Sequence, residues 1–400
     1  MPIIFNNEYY FSCLIMNTTF LASKPRYEIL DGLRGVAAML VVAYHLFETY
    51  TVNPMEQLLN HGYLAVDFFF VLSGFVIGYA YDDRWDRMTL RDFFKRRLTR
   101  LHPMVIMGTL IGAALFYFGA CPAFPMIMET PWWKVLVMAL LGCLMIPALV
   151  SWDIRGWWET NPLNGPTWSL TWEYVANIVY ALIVRHFSKL TLGLFVALSA
   201  CLTIDVALNI DTFGLLGGRT DVSYTVIGGW SITPDQMYIG MTRLLYPFFM
   251  GLLLARINKL IALKGGFYWC SLFIIIILAM PRIGGTTDMW MNGTYEALSI
   301  IVLFPMIVLM GAGSKVTGKR SVALCKFFGV LSYPLYITHF PLVYMQKAWV
   351  SNNPDASRGM HIFVGVAIFC LAVGIAYASL KLYDEPVREW LKNHWLMRKK

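Results

Sequence analysis

Charge is scarce in this chain. Only 14% of its 400 residues are Asp, Glu, Lys or Arg, against about 25% in a typical soluble domain, so an ordinary solvated surface is excluded. Cysteine is also sparse and carries no pattern. Cys13, Cys121, Cys143, Cys201, Cys270, Cys325 and Cys370 are scattered, mostly through apolar runs, with no CxxC pair and an odd total. That spacing points to neither a disulfide framework nor a metal site. Residues 1–22 lack the basic start and small-residue cleavage site of a secretory signal. They read as a retained leader, with Met16 as an alternative start. No internal repeat is visible, and the longest loop, about 210–236, is too short to fold alone.

What fills the chain instead is apolar: 58% of residues are hydrophobic and 15% aromatic, with a mean hydropathy of +0.58. Several runs reach the roughly 20 apolar residues that a helix needs to cross about 30 Å of hydrocarbon. The 14 Trp and 21 Tyr crowd the ends of those runs, where amphipathic rings prefer to sit. A net charge of +8 would suit a nucleic-acid partner, but the basic residues lie mostly in short loops between spans, which is a topology signal rather than a binding surface.

Apolar runs bounded by Gly, Pro and charge predict helices near 31–50, 62–81, 98–119, 133–150, 169–185, 190–209, 237–255, 267–281, 295–312, 325–348 and 360–382. Basic residues concentrate at Lys24 and Arg26, Arg84 to Arg100, Arg185 and Lys189, Arg256 to Lys264, Lys315 to Lys326, and Lys381 to Lys400. Placing all of these on the cytoplasmic side leaves one helix too many between Arg100 and Arg185. The segment 133–150 is short, starts at a Pro-Trp-Trp and carries Pro147, so it is assigned as re-entrant or interfacial. The expected fold is an all-α polytopic bundle of about ten transmembrane helices with both termini cytoplasmic. A leader at 1–22, a membrane domain over 23–388 and a basic cytoplasmic tail over 389–400 complete it.

Ionisable groups inside spans are costly and mark function by default. On the first helix, eleven positions separate Arg34 from His45. They share a face about 16 Å apart, with Asp31 placed to pair with Arg34. On the second helix, Asp67, Gly74 and Gly78 share a face on which the glycines suit close helix contact. Asp67 is either a partner for a histidine or a solvated helix-end carboxylate. Arg97 and Arg100, one turn apart at the start of the third helix, can grip phosphates. Thr167 or Ser169 is placed to cap a helix that carries Glu173 near its start. Glu173 reads as a general acid or base, as the partner of His45, or as a purely structural carboxylate favoured by the helix dipole. His339 sits between Pro334 and Pro341, which would kink the penultimate helix.

Together these segments resemble the acyltransferase 3 family, integral membrane enzymes that O-acylate bacterial surface polysaccharides and other exported molecules. LDGLRGVAAMLVVAYH, FFFVLSGF, RLTR, NGPTWSLTWEY and LSYPLYITHFPL follow the order of that family's signatures and span nearly all the chain. The resemblance implies ten spans in the cytoplasmic (inner) membrane and an acyl-CoA co-substrate, with acetyl-CoA the expected donor and no metal. It also implies a carbohydrate or lipid-linked glycan acceptor met nearer the outer face. It makes His45 the catalytic histidine, Arg34 its signature partner, Arg97 and Arg100 the donor contacts, and Glu173 a further participant. Topology adds Asp67 as a second candidate carboxylate and sets Arg34 at the inner end of the donor's path, or locking the helix through Asp31. Trp168, Ser169, Ser73, His339 and Tyr336 are the expected substrate-lining residues. Some members of the family add a hydrolase-like domain, and this chain is expected to be the form without one.

The expected chemistry has His45 as base, oriented by Glu173 or Asp67, with direct transfer preferred over an acyl-histidine intermediate. A transporter or flippase, and a non-catalytic membrane sensor, are the competing readings.

Overall fold

Twelve helices of 12 residues or more run through the structure, a computed structural model that describes residues 24–51, 56–219 and 222–396. The leader and Met16 lie outside these residues. The helices are α1 (Glu28–Glu48), α2 (Gly62–Tyr81), α3 (Leu90–Leu115), α4 (Trp132–Cys143), α5 (Trp168–Leu182), α6 (Lys189–Ala207), α7 (Pro234–Ile257), α8 (Gly266–Ala279), α9 (Trp290–Gly313), α10 (Lys319–Thr338), α11 (Phe340–Asn352) and α12 (Arg358–Leu396). No β-strand forms among the described residues.

Eight of these helices are long and apolar enough to cross a membrane. Helix α4 has 12 residues, about 18 Å of rise, and so falls short of a crossing, as expected of that segment. Helices α5 and α8, expected to be spans, have 15 and 14 residues; α5 is lengthened by single turns at Gly165–Thr167 and Val184–His186. Large apolar side chains stand exposed on the outside of the bundle, among them Leu190 and Leu198 on α6, Ile276 on α8, and Phe363 and Leu382 on α12. In water such a surface would drive aggregation, whereas in lipid it is the solvated face. The protein is an all-α, multi-pass membrane protein.

Two boundaries differ from the sequence expectation. Helix α3 starts at Leu90, eight residues early, because Thr89 and Asp92 form a reciprocal capping box. Arg97 and Arg100 therefore sit inside the helix rather than at its start. The segment expected as one helix over 325–348 is divided at His339. Pro341 has no N–H to offer Ile337 O, and Asn164 Nδ2 fills that carbonyl from a neighbouring loop at 2.7 Å. The last helix continues past 388 to Leu396, and Lys95 of α3 donates to Trp395 O at 3.1 Å.

Helices α2 and α7 form the tightest pairing. A methyl group on Gly74 would overlap Phe248 O, and one on Gly251 would overlap Val71 O, so each helix presents a groove to the other's backbone. The small-residue face read from the sequence is this interface.

On the face opposite the basic loops, the loop between α4 and α5 folds inward. Asp153 accepts the backbone N–H of Arg155, Gly156 and Trp158. Arg155 lays its guanidinium on the Tyr344 ring at 3.6 Å, and Tyr344 donates to Glu159 Oε2 at 2.7 Å. Burial outweighs that hydrogen bond and the nearby Arg155, and pushes the Glu159 carboxyl up to about 7.

Gly74→Ala is expected to lower thermal stability and folded yield by about 1–3 kcal/mol. Gly193→Ala on α6, where nothing lies within 4 Å, should leave both unchanged; melting in detergent reads the difference. Because folded Glu159 holds its proton to higher pH than an unfolded glutamate, stability is full below about 4.5 and falls as pH rises toward about 7. Glu159→Gln should flatten that slope in melting curves taken across the same window.

Candidate active site

A cavity of about 450 Å³ opens among the basic loops and runs into the bundle between α1, α2, α3, α5 and α10. Lys24, Arg26 and Arg84 stand at its mouth, Arg34, Arg97 and Arg100 line its wall, and Val66, Phe69, Ser169 and Tyr336 line its deep end. Of the residues singled out from the sequence, the cavity thus gathers Arg34, Arg97, Arg100, Glu173, Ser73, Ser169 and Tyr336. Asp67, Trp168, His45 and His339 lie behind its walls.

Helical spacing explains the basic wall. Arg97 and Arg100 are one turn apart on α3, and Arg34 presents from α1, held by Asp31 at 3.2 Å as the i,i+3 spacing predicts. Arg97 Nη2 lies 2.6 Å from Glu173 Oε1, and Ser73 Oγ donates to the same oxygen at 2.8 Å. Arg97 Nε is buried with no hydrogen-bond partner among the described residues. No carboxylate forms an ion pair with Arg100 among them either, so the wall keeps uncompensated positive charge and an open donor.

The histidines stand beyond the deep end. Ser169 Oγ and Tyr336 OH are 2.7 Å apart, joining α5 to α10. One turn after Tyr336, the His339 ring stacks on His45 at 5.5 Å between centroids, and Phe340 meets His45 edge-on at 4.7 Å. His45 Nδ1 lies 2.7 Å from Glu48 Oε2. Both side chains keep some accessible surface, 18% and 27%, on the face away from the basic mouth.

This geometry corrects the expected partnerships. The carboxylate on His45 is Glu48, three residues along the same helix, and neither Glu173 nor Asp67. Glu173 points into the cavity at Arg97. Asp67 is fully buried and paired with Arg243 on α7, Oδ2 to Nη2 at 2.7 Å. Arg243 donates further to Tyr63 O and Gly228 O and sits 5.2 Å from the Trp168 ring, so Trp168 packs against this pair. Neither Thr167 nor Ser169 caps α5: their hydroxyls donate to Asn164 O and Pro166 O.

Glu48 and Arg243 escaped the sequence reading. The i,i+3 spacing of His45 and Glu48 was a usable signal, whereas nothing local to Arg243 points to Asp67. Among the described residues no three His, Cys, Asp or Glu side chains gather closely enough to hold a metal ion.

Comparison with known proteins agrees with this architecture. An acyltransferase domain matches residues 27–381. "Protein 2 in picA locus" of Rhizobium radiobacter is 34% identical over 163 residues, covering 39% of this chain and 81% of that protein. The O-acetyltransferase OatA of Staphylococcus aureus is 25% identical over 387 residues, covering 92% of this chain and 58% of OatA. The chain thus spans less than two thirds of OatA. No solved structure matches it. With an acyltransferase domain covering nearly every helix that builds the cavity and the histidine pair, the chain belongs to the acyltransferase 3 family of integral membrane proteins.

Proposed function

We propose that the protein is a membrane O-acyltransferase that moves an acyl group, acetyl in the first instance, from cytoplasmic acyl-CoA to a hydroxyl of a cell-surface glycan or another exported acceptor. The observation that carries this reading is the basic cavity whose deep end lies one helical turn from a histidine stacked on His45. The positive-inside rule puts the cavity mouth on the cytoplasmic side. The donor's phosphates meet Arg97 and Arg100, and its thioester arm extends along the cavity toward Tyr336.

In the transfer, the acceptor oxygen attacks the thioester carbonyl while its proton passes to His45 Nε2. The C–S bond then breaks, and the thiolate leaves with the proton returned by His45. Glu48, at Nδ1, fixes the ring and offsets the imidazolium charge as it forms. Glu173 serves as counter-charge to Arg97 rather than as a base. The name of OatA supports acetyl transfer to oxygen as the reaction class.

His45→Ala should lower acylation by about 10²–10⁴ at normal membrane levels of protein. Labelled acetyl-CoA, incubated with membranes and followed into ester on glycan, reads this directly; full activity in the variant, or movement of label without new ester, would sink the assignment. Glu48→Gln should lose less than His45→Ala. Replacing Arg97 and Arg100 with Ala should raise the donor KM more than the acceptor KM, and the reverse pattern would relocate the donor.

A further inference from the structure

The break between α10 and α11 leaves one nitrogen unsatisfied. His339 Nδ1 lies 2.9 Å from Tyr336 O and 3.1 Å from Leu335 O. Carbonyl oxygens only accept, so Nδ1 carries the hydrogen and Nε2 holds a lone pair. The side chain is fully buried, and Nε2 has no hydrogen-bond partner among the described residues. An empty buried acceptor costs free energy, and the fold keeps this one between the donor cavity and His45.

Its position limits what it can receive. Toward the far face it is covered by His45 and Phe340, whose rings lie 5.5 and 5.9 Å away. Toward the cavity it follows Tyr336, whose ring meets Phe69 edge-on at 5.5 Å at the deep end. His339 therefore belongs to the donor's side of the pair, and His45, with its accessible surface and Glu48, to the acceptor's side. The reacting hydroxyl has one proton, and His45 takes it. A second acceptor nitrogen needs a second donor, and a pantetheine-type arm brings one: the amide N–H two carbons from the sulfur.

We propose that His339 Nε2 receives the hydrogen bond of that amide, so that the ligand recognised here is a thioester whose arm bears a secondary amide beside the sulfur. The edge-on contact of Tyr336 with Phe69 closes the deep end over His339, so the two rings part to admit the arm, and the bond holds the carbonyl beneath His45. This rests on the acyl-CoA reading above and adds a positioning residue to it.

The test uses the full chain in lipid nanodiscs, with His339→Leu, which removes the acceptor, and His339→Gln, which keeps one. The probes are acetyl-CoA, S-acetylpantetheine, and an S-acetylpantetheine analogue with that N–H replaced by an ester oxygen. The wild type should bind S-acetylpantetheine about tenfold more tightly than the ester analogue. His339→Leu should bind the two alike, and His339→Gln should restore part of the difference. Arg100→Ala should weaken acetyl-CoA and leave S-acetylpantetheine unchanged. With labelled acetyl-CoA, His339→Leu should raise the donor KM and leave the acceptor KM unaltered. Acetyl-CoA binding by a wild type that does not discriminate the two arms, or equal discrimination in His339→Leu, would overturn the role of His339 alone. Absence of acetyl-CoA binding by the wild type would overturn the donor reading and this inference together.

Discussion

Inside a membrane a polar group must find its partner within the protein, because lipid offers none. That constraint organises this molecule around arginines paired between its helices. Arg243 on α7 is held by Asp67 and two backbone carbonyls. Arg256, nearer the basic face, is held by Asp82, Phe187 O and Val184 O. Removing Asp67 would strand the buried Arg243 charge and cost several kcal/mol, so that pair acts as a fixed joint. The Asp67 to Arg243 joint forms because Gly74 and Gly251 let α2 and α7 close on each other's backbones. The same α2 then supplies Val66, Phe69 and Ser73 to the cavity, so the packing of two helices sets the shape of the chemical site.

Much of this was legible in the amino-acid order, and the misses share one physical cause. Hydropathy gives each residue a depth in the membrane but not a rotation about its helix axis. A helix formed in every expected segment, one of them divided at His339, and the Asp31 to Arg34 pair was readable because three residues on a helix fix both depth and direction. Arg97 and Arg100 were paired by their spacing, Arg34 was placed at the same end by topology, and the cavity gathers all three. Asp67 was assigned to His45 on depth alone, and its helix turns it toward α7 instead. Glu173 was read as one possible partner of His45, whereas it reaches Arg97 in the cavity. Arg243 stands 176 positions from Asp67, and no local pattern joins them. The stacking of His45 on His339 depends on the break that Pro341 imposes, and a kink was foreseeable where the ring contact was not.

The separation between the arginines and His45 has an electrostatic use. A histidine that must take a proton is hindered by nearby positive charge, and the hindrance falls with distance. At an effective dielectric of about 20, a guanidinium about 4 Å away opposes the imidazolium by about 4 kcal/mol, and one about 16 Å away by about 1 kcal/mol. Arg34 lies about 16 Å along α1 from His45, and on the proposed reading the phosphates of a donor held by Arg97 and Arg100 would reduce the remaining field further. At His45 itself the Glu48 carboxylate lies 2.7 Å from Nδ1. The long-armed thioester proposed as donor would reconcile the two demands: its phosphates need a cationic site, its carbonyl needs a base, and the arm would let the two sit half a bilayer apart without either weakening the other.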